Sequence, residues 1–226
     1  MQELLYKLIP NVMDKPEIYV RSIKETLMML WWSGVTSFML GLLLGVVITV
    51  TQKGGVMENA PVYQALDKLI NFFRSIPFIV LLAGLIPLTR YLMGTAIGVK
   101  GAVVPLIFGT VPFFARQIEA ALAELDGGII EAAMSMGSSP LGIIFRVYLK
   151  ESIASIARAT TITTIALIGL TAMAGAVGAG GLGDFAIRYG HQRNQIDVTY
   201  VTVLTLVVLV SIIQITGNLI AKKNTH

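Results

Sequence analysis

Residues 26–52, TLMMLWWSGVTSFMLGLLLGVVITVTQ, run 27 positions between Glu25 and Lys53 without a charge. At about 1.5 Å rise per residue, a helix of this length exceeds the roughly 30 Å hydrocarbon core of a bilayer. The stretch therefore reads as a membrane span. Outward from it, uncharged windows of 25 residues (Ala159 to Gly183) and 24 residues (Val198 to Ala221) satisfy the same length. Two shorter windows, Ser75 to Thr89 and Gly101 to Ala115, hold 15 residues each and contain Pro77, Pro87, Pro105 and Pro112. Fifteen helical residues reach only about 22 Å, so each must extend past a flanking charge, with Arg74, Arg90 and Lys100 snorkelling toward the interface. Proline frees backbone groups that lipid cannot satisfy, so these two helices are expected to lie against protein; one long re-entrant region is the alternative. The expectation is an all-α polytopic membrane protein. It has five transmembrane helices in a single domain over 1–226, near 26–51, 69–93, 97–115, 159–183 and 198–221, with one long polar loop at 116–158.

Composition agrees with the spans. Of 226 residues, 55% are hydrophobic and 13% charged, with mean hydropathy +0.76, whereas a soluble domain carries roughly 25% charged residues. The 17 Lys and Arg and 13 Asp and Glu give +4 without forming a basic block, which argues against nucleic acid as a partner. The chain has no cysteine, and its two histidines are His191 and His226, so thiolate chemistry and a histidine-rich metal centre are excluded. Residues 1–25 carry eight charges and resemble no secretory signal, leaving the first span as the expected targeting signal. Counting Lys and Arg on the two sides of five spans gives nine against eight, which does not fix orientation.

The polar stretch Arg116 to Arg158 covers 43 residues, far more than a connection needs. It reads as a helical run Gln117 to Asp126, a Gly127-Gly128 break, a short helix Ile129 to Met136, Gly137, and a third helix Pro140 to about Leu149. Ser139 stands at the N-cap of that third helix and Pro140 at its first position. Glu131 then falls in the first turn of the middle helix, where the macrodipole favours a carboxylate, while Ala132 and Ala133 leave room for a partner and Gly137 tolerates a positive φ. Such a hairpin is either a docking element or an ordinary solvated turn.

Gly41 and Gly45 form a G-x-x-x-G pair suited to close helix approach. Gly178-Ala179-Gly180-Gly181-Leu182-Gly183 fits G-x-G-x-x-G, yet no strand is expected before it and Asp184 follows at once, so it is not read as a dinucleotide fingerprint. Gly178, Gly180 and Gly181 are instead candidates for tight helix crossing or for an unwound turn at the end of a span. No G-x-x-x-x-G-K-[ST] is present, so any ATP must be bound by another subunit. Arg74 and Arg90 read as interfacial anchors or as functional charges. Met173 sits mid-span among small residues, either lining a passage or filling the core.

Glu131-Ala132-Ala133, then three residues and Gly137, then nine further residues and Val147-Tyr148-Leu149, resemble the cytoplasmic E-A-A loop of ABC-importer permeases. Val147 stands where that pattern has isoleucine, and Lys150 where it has proline. Asn71-Phe72-Phe73-Arg74-Ser75-Ile76-Pro77-Phe78-Ile79, Ile86-Pro87-Leu88-Thr89-Arg90, Val104-Pro105-Leu106, Pro112-Phe113-Phe114-Ala115-Arg116 and Ala172 to Gly183 are together similar to the permeases of the bacterial methionine importers. The resemblance implies a type I ABC importer permease fold in the bacterial cytoplasmic membrane, with the amino terminus outside and the carboxyl terminus inside. It implies a homodimer, two ATP-binding cassette subunits docked at Glu131, Ala132, Ala133, Met136 and Gly137, an external substrate-binding lipoprotein, and methionine as solute. Met173, Ala174, Ser75 and Pro77 would border the translocation path, and the chain itself would hold no catalytic residue, metal or cofactor. A permease for another small solute is the near alternative. A secondary transporter is the alternative of a different class, although no uncharged window supplies the acidic or histidine residues for ion coupling.

Overall fold

The computed structural model describes Tyr6 and residues 8–224. Glu3, Lys7 and His226, which enter the charge and histidine counts, lie outside the described residues. Among these residues there is no strand. After a single turn, Pro10–Met13, the chain forms α1 (Pro16–Thr51), α2 (Ala60–Ser75), α3 (Phe78–Gly84), α4 (Ile86–Met93), α5 (Gly98–Ala123), α6 (Gly127–Ser135), α7 (Pro140–Ile143), α8 (Ile153–Ala174) and α9 (Ile196–Lys223). Four of them, α1, α5, α8 with its extension to Ala179, and α9, are long and apolar enough to cross a membrane.

The ends follow from local chemistry. α1 begins at Pro16, ten residues before the uncharged window, because proline is preorganised for a first helical turn. Its 36 residues correspond to about 54 Å, more than the roughly 30 Å hydrocarbon core requires, and Glu17, Arg21 and Lys24 all precede the uncharged window. The region expected as a span at 69–93 is broken into segments. Ile76 is extended (φ −88°, ψ 122°) because Pro77 follows it, and Leu85 interrupts the chain again before Pro87. α4 ends at Gly94, whose φ is +73°. α5 continues through Arg116 to Ala123, so the stretch between the long helices runs from 124 to 152.

The chain divides into two compact units. One comprises residues up to Val35, Pro77–Ile107 and Thr164–Ile213; the other comprises Thr36–Ile76, Phe108–Thr163 and residues from Gln214 onward. In the first unit, Met29, Ala102, Leu106, Leu167, Ala174 and Ala179 make one buried cluster, and Val12, Phe185 and Val198 another. The second unit packs Phe114, Ile118, Leu122, Ala133, Ile143 and Tyr148 together, and Ile48 with Ile70 and Ala115. Gly41 and Gly45 belong to this unit: a Cβ on Gly41 would lie 2.7 Å from the Phe114 ring, and one on Gly45 would lie 2.5 Å from Ile118 Cβ. The G-x-x-x-G pair is thus a place of close helix packing. Several hydroxyls in the apolar helices are satisfied by the preceding turn, as with Thr49 to the Gly45 carbonyl, Thr163 to Ala159 and Thr202 to Val198, each at 2.8 Å, whereas the buried hydroxyls of Ser37 and Thr110 have no partner among the described residues.

Candidate functional site

Two sets of helix breaks carry the candidate residues. In the second unit, Asp126 caps α6, its Oδ1 accepting from the Gly128 N–H at 2.8 Å. The helix closes on Gly137, whose φ is +77°. The Gly137 N–H donates to the Met134 carbonyl at 2.9 Å and the Ser138 N–H to the Ala133 carbonyl at 3.1 Å, the paired bonds of a Schellman motif. Ser139 Oγ then accepts from the Gly142 N–H at 3.2 Å, and Pro140 opens α7. The expected turn at Gly137 and the cap at Ser139 are both found.

Other expectations at this hairpin are corrected. α6 starts at Gly127 rather than Ile129, because Asp126 takes the cap, and Glu131 therefore lies past the first turn, exposed on the helix. Ala133 does not leave room for a partner: it is buried in its own unit's core. Ala132 is exposed, as are Met136 (79% accessible), Leu141 (62%) and Phe145 (66%). The last two carry an outward apolar surface that the sequence reading passed over; their exposure beside inward Ile143 and Ile144 was not separable from an ordinary apolar run. The chain passes through Lys150 in helical form, as a π-helical stretch Ile144–Tyr148 followed by a turn Leu149–Glu151, and departs from helix only at Ser152. Burial pushes the Tyr148 phenol above its ordinary pKa.

Also in the second unit, Arg116 joins α2 to α5. Its guanidinium is paired with Asp67 and Glu119 and donates to Asn71 Oδ1 at 3.1 Å. Ser75, placed on the path by the resemblance, is exposed, and its hydroxyl donates to the Asn71 carbonyl at 2.7 Å.

In the first unit, α8 ends in a π-helical stretch Gly175–Ala179, inside which Val177 and Gly178 leave helical geometry, Gly178 at φ +102°. Gly180 and Gly181, at φ +82° and +78°, reverse the chain before Gly181–Asp184 and a second π-helical stretch, Phe185–Gly190. The new helical start is held by α1: Glu25 Oε2 accepts from the Gly181 N–H at 2.8 Å and Thr26 Oγ1 from the Leu182 N–H at 2.9 Å. A Cβ on Gly180 would lie 2.5 Å from Glu25 Oε2, and one on Gly181 would lie 2.7 Å from Thr26 Oγ1. Gly180 and Gly181 thus serve both close approach and an unwound turn, whereas Gly178 meets nothing within 4 Å and serves conformation alone. Ala174 is fully buried against Met29 and Leu106, so it fills core and does not line a passage; Met173 beside it is 46% accessible, and Pro77 is exposed. Glu25 and Thr26 had no signal in the sequence, since their partners lie 156 positions away.

Beside this turn lies an open cavity of about 390 Å³ bordered by Arg21, Glu25, Ile97, Gly178, Asp184 and Arg188 among others. Arg21 Nε lies 2.8 Å from Glu25 Oε1, and Arg188 Nη1 3.8 Å from Asp184 Oδ2. Asp184 stands beyond the apolar stretch ending at Ala179. Burial raises its carboxyl pKa, Arg188 works against that rise, and Glu25 adds to it.

Long apolar helices, a compact turn cluster between two of them and no strand among the described residues define a polytopic α-helical membrane protein. Residues 29–225 match the family described as binding-protein-dependent transport system inner membrane component, and the chain belongs to that family. It is a permease component of an ABC importer. The chain is 47% identical over 202 residues to the probable D-methionine transport system permease protein MetI of Vibrio cholerae, covering 89% of this chain and 90% of that one. It is 44% identical over 170 residues to the methionine import system permease protein MetP of Bacillus subtilis, covering 75% and 77%. A chain of a solved structure of the MetNI methionine ABC transporter in inward-facing conformations superposes with TM-score 0.91 at 43% identity, over 94% of this chain and 99% of that one. A chain of an amino acid ABC transporter solved with histidines, at TM-score 0.78 and 17% identity over 95% of this chain and 98% of that one, shares the fold.

Proposed function

We propose that two copies of this chain form the path by which methionine is imported at the expense of ATP. The solute follows from the relatives, which carry methionine transport in their names across most of the chain's length. ATP enters through a separate subunit, because the chain lacks a phosphate-binding loop of its own. That subunit docks on the 124–152 hairpin, at Glu131, Ala132, Met136 and Gly137 together with Leu141 and Phe145. The observation that carries docking is the outward apolar surface of Met136, Leu141 and Phe145 on a segment lying between, not within, the long apolar helices. Exposed apolar side chains rimmed by polar ones mark interaction surfaces.

Five crossings per chain, with the α2–α4 region supplying one of them, put the amino terminus outside and the hairpin and carboxyl terminus in the cytoplasm. An external binding protein delivers the solute, and Met173 and Pro77 border the path. Pairing of two such chains about a two-fold axis closes a conduit that one would leave open. Reconstitution in liposomes with the cognate ATPase and binding protein tests the reading. ATP-dependent uptake of methionine is expected; uptake without ATP overturns the mechanism, and preference for another amino acid overturns the solute.

A further inference from the structure

We infer that the cavity bordered by Arg21, Glu25, Asp184 and Arg188 binds a free α-amino acid as its zwitterion, at a site within each chain. The cavity's volume, about 390 Å³, falls in the range of small-molecule sites, roughly 300–1,000 Å³. Its charged wall consists of two guanidiniums and two carboxylates. A simple anion or a simple cation gains from one set and is repelled by the other. A ligand carrying an ammonium and a carboxylate on the same carbon engages both.

The existing pairs leave capacity for such a ligand. Each is made within one helical segment, four residues apart: Arg21 with Glu25 and Asp184 with Arg188. Glu25 is committed through one oxygen to the Arg21 Nε and through the other to the Gly181 N–H. Asp184 is less well compensated, since its nearest cation is 3.8 Å away and the Arg188 side chain is largely exposed. Burial and the neighbouring Glu25 charge both disfavour the ionised Asp184 carboxylate. An ammonium between Glu25 and Asp184 relieves that repulsion, and the ligand's carboxylate takes the guanidinium of Arg188, which can swing on its long stem.

The remaining wall suits a side chain of low polarity. Ile18, Ile97 and Tyr189 supply apolar surface, and Gly178 contributes only backbone facing open space. The ammonium and carboxylate thus find charged partners while the side chain rests on carbon.

The choice of methionine as probe rests on the proposed import function; the cavity argument does not. The test uses the assembled transporter in lipid nanodiscs, without nucleotide or external binding protein, and measures equilibrium binding of radiolabelled methionine. Saturable binding near one per permease chain is expected. Asp184→Asn and Arg188→Gln should each weaken it at least tenfold. Methioninol, lacking the carboxylate, and 4-methylthiobutanoate, lacking the ammonium, should fail to compete at a hundredfold excess. The double variant Asp184→Arg with Arg188→Asp keeps an ion pair four residues apart but reverses its polarity, and should bind no better than the single variants. Absence of saturable binding, competition by either analogue, or wild-type affinity in the reversed pair overturns the inference. Liposome uptake by the same preparation separates the two readings: methionine uptake without variant-sensitive binding removes the cavity site and leaves the import function standing, while saturable, variant-sensitive binding in a preparation that transports no methionine does the reverse.

Discussion

The hairpin at 124–152 and the turn at 175–184 solve the same problem by different means. Both break a helix at glycines of positive φ and restart it within a few residues. The hairpin closes its free N–H groups with neighbours: Asp126 with Gly128, Ser139 with Gly142, and the Gly137 pair with α6 itself. The turn at 175–184 borrows its closure from α1, through Glu25 and Thr26. A locally closed break persists wherever its own sequence goes, whereas a remotely closed one exists only while the two helices stay together. The second is therefore tied to tertiary packing, and the first is free to present a surface.

The largest test of this contrast is all-or-none and concerns which break faces which side. Because the chain has no native cysteine, single cysteines can be labelled without background. Lys24 and Lys223 are exposed and suit the purpose, whereas Ser22 is buried, with its hydroxyl on the Ile18 carbonyl. An impermeant thiol reagent on intact cells should reach Lys24→Cys and leave Ser138→Cys and Lys223→Cys unlabelled. Labelling of position 138 would remove the cytoplasmic docking reading.

Next in size, Gly183→Val should disable the remotely closed turn, because a Cβ there meets the Ala172 backbone carbonyl. Overpacking of this kind costs roughly 1–3 kcal/mol, and more where backbone must move; thermal unfolding in detergent should show a large fall in midpoint or no folded protein. Gly137→Val should strain the hairpin by about 1–3 kcal/mol yet leave membrane insertion intact, so that ATPase binding falls while yield does not. Equal ATPase affinity in that variant would show the hairpin to be only a turn.

Caps give smaller effects and sharpen the comparison directly. Thr26→Val strips the acceptor from the buried Leu182 N–H, a loss of about 1–3 kcal/mol, whereas Asp126→Ala should cost about 1 kcal/mol. A larger loss for Asp126 than for Thr26 in chemical denaturation would show that the remote closure contributes no more than the local one.

The smallest effect is a pH dependence at Asp184. Its carboxyl is held above the ordinary value by burial and by Glu25, so the folded chain keeps that proton to higher pH than the unfolded chain does. Its contribution is fully present below the unfolded pKa and is lost as pH rises through the folded one. The detergent-solubilised protein should gain stability through this group on acidification from pH 7, and Asp184→Asn should flatten that part of the profile.

Local signals explain what was legible in advance. Uncharged length picks out α1, α8 and α9, Pro77 and Pro87 stand at helix breaks while α5 runs unbroken through Pro105 and Pro112, and Ser139-Pro140 and Gly137 announce their own geometry. Glu131 sits two residues further into its helix than expected, because Asp126 is the cap of that helix and not the end of the one before. α5 ran past Arg116 because the guanidinium has partners in Asp67, Asn71 and Glu119, so a charge that looked like a span's edge stays inside a helix. Ala133 and Ala174 have the same small side chain as their exposed neighbours, and only packing decides which alanine faces inward. Glu25 illustrates the limit most plainly, since a carboxylate at the rim of an apolar window has many uses and nothing nearby in the chain selects one.

The π-helical stretches at 144–148 and 185–190 give the chain tolerance of changes in its own length. A π turn accommodates one residue more than the α turn it replaces, so deletion of a single residue within 144–148 can be absorbed by tightening that turn. Elsewhere in a packed helix the same deletion rotates everything downstream by about 100° and turns the buried face outward. Single-residue gaps between related chains should therefore collect at these two places, and an engineer shortening the molecule should cut there first.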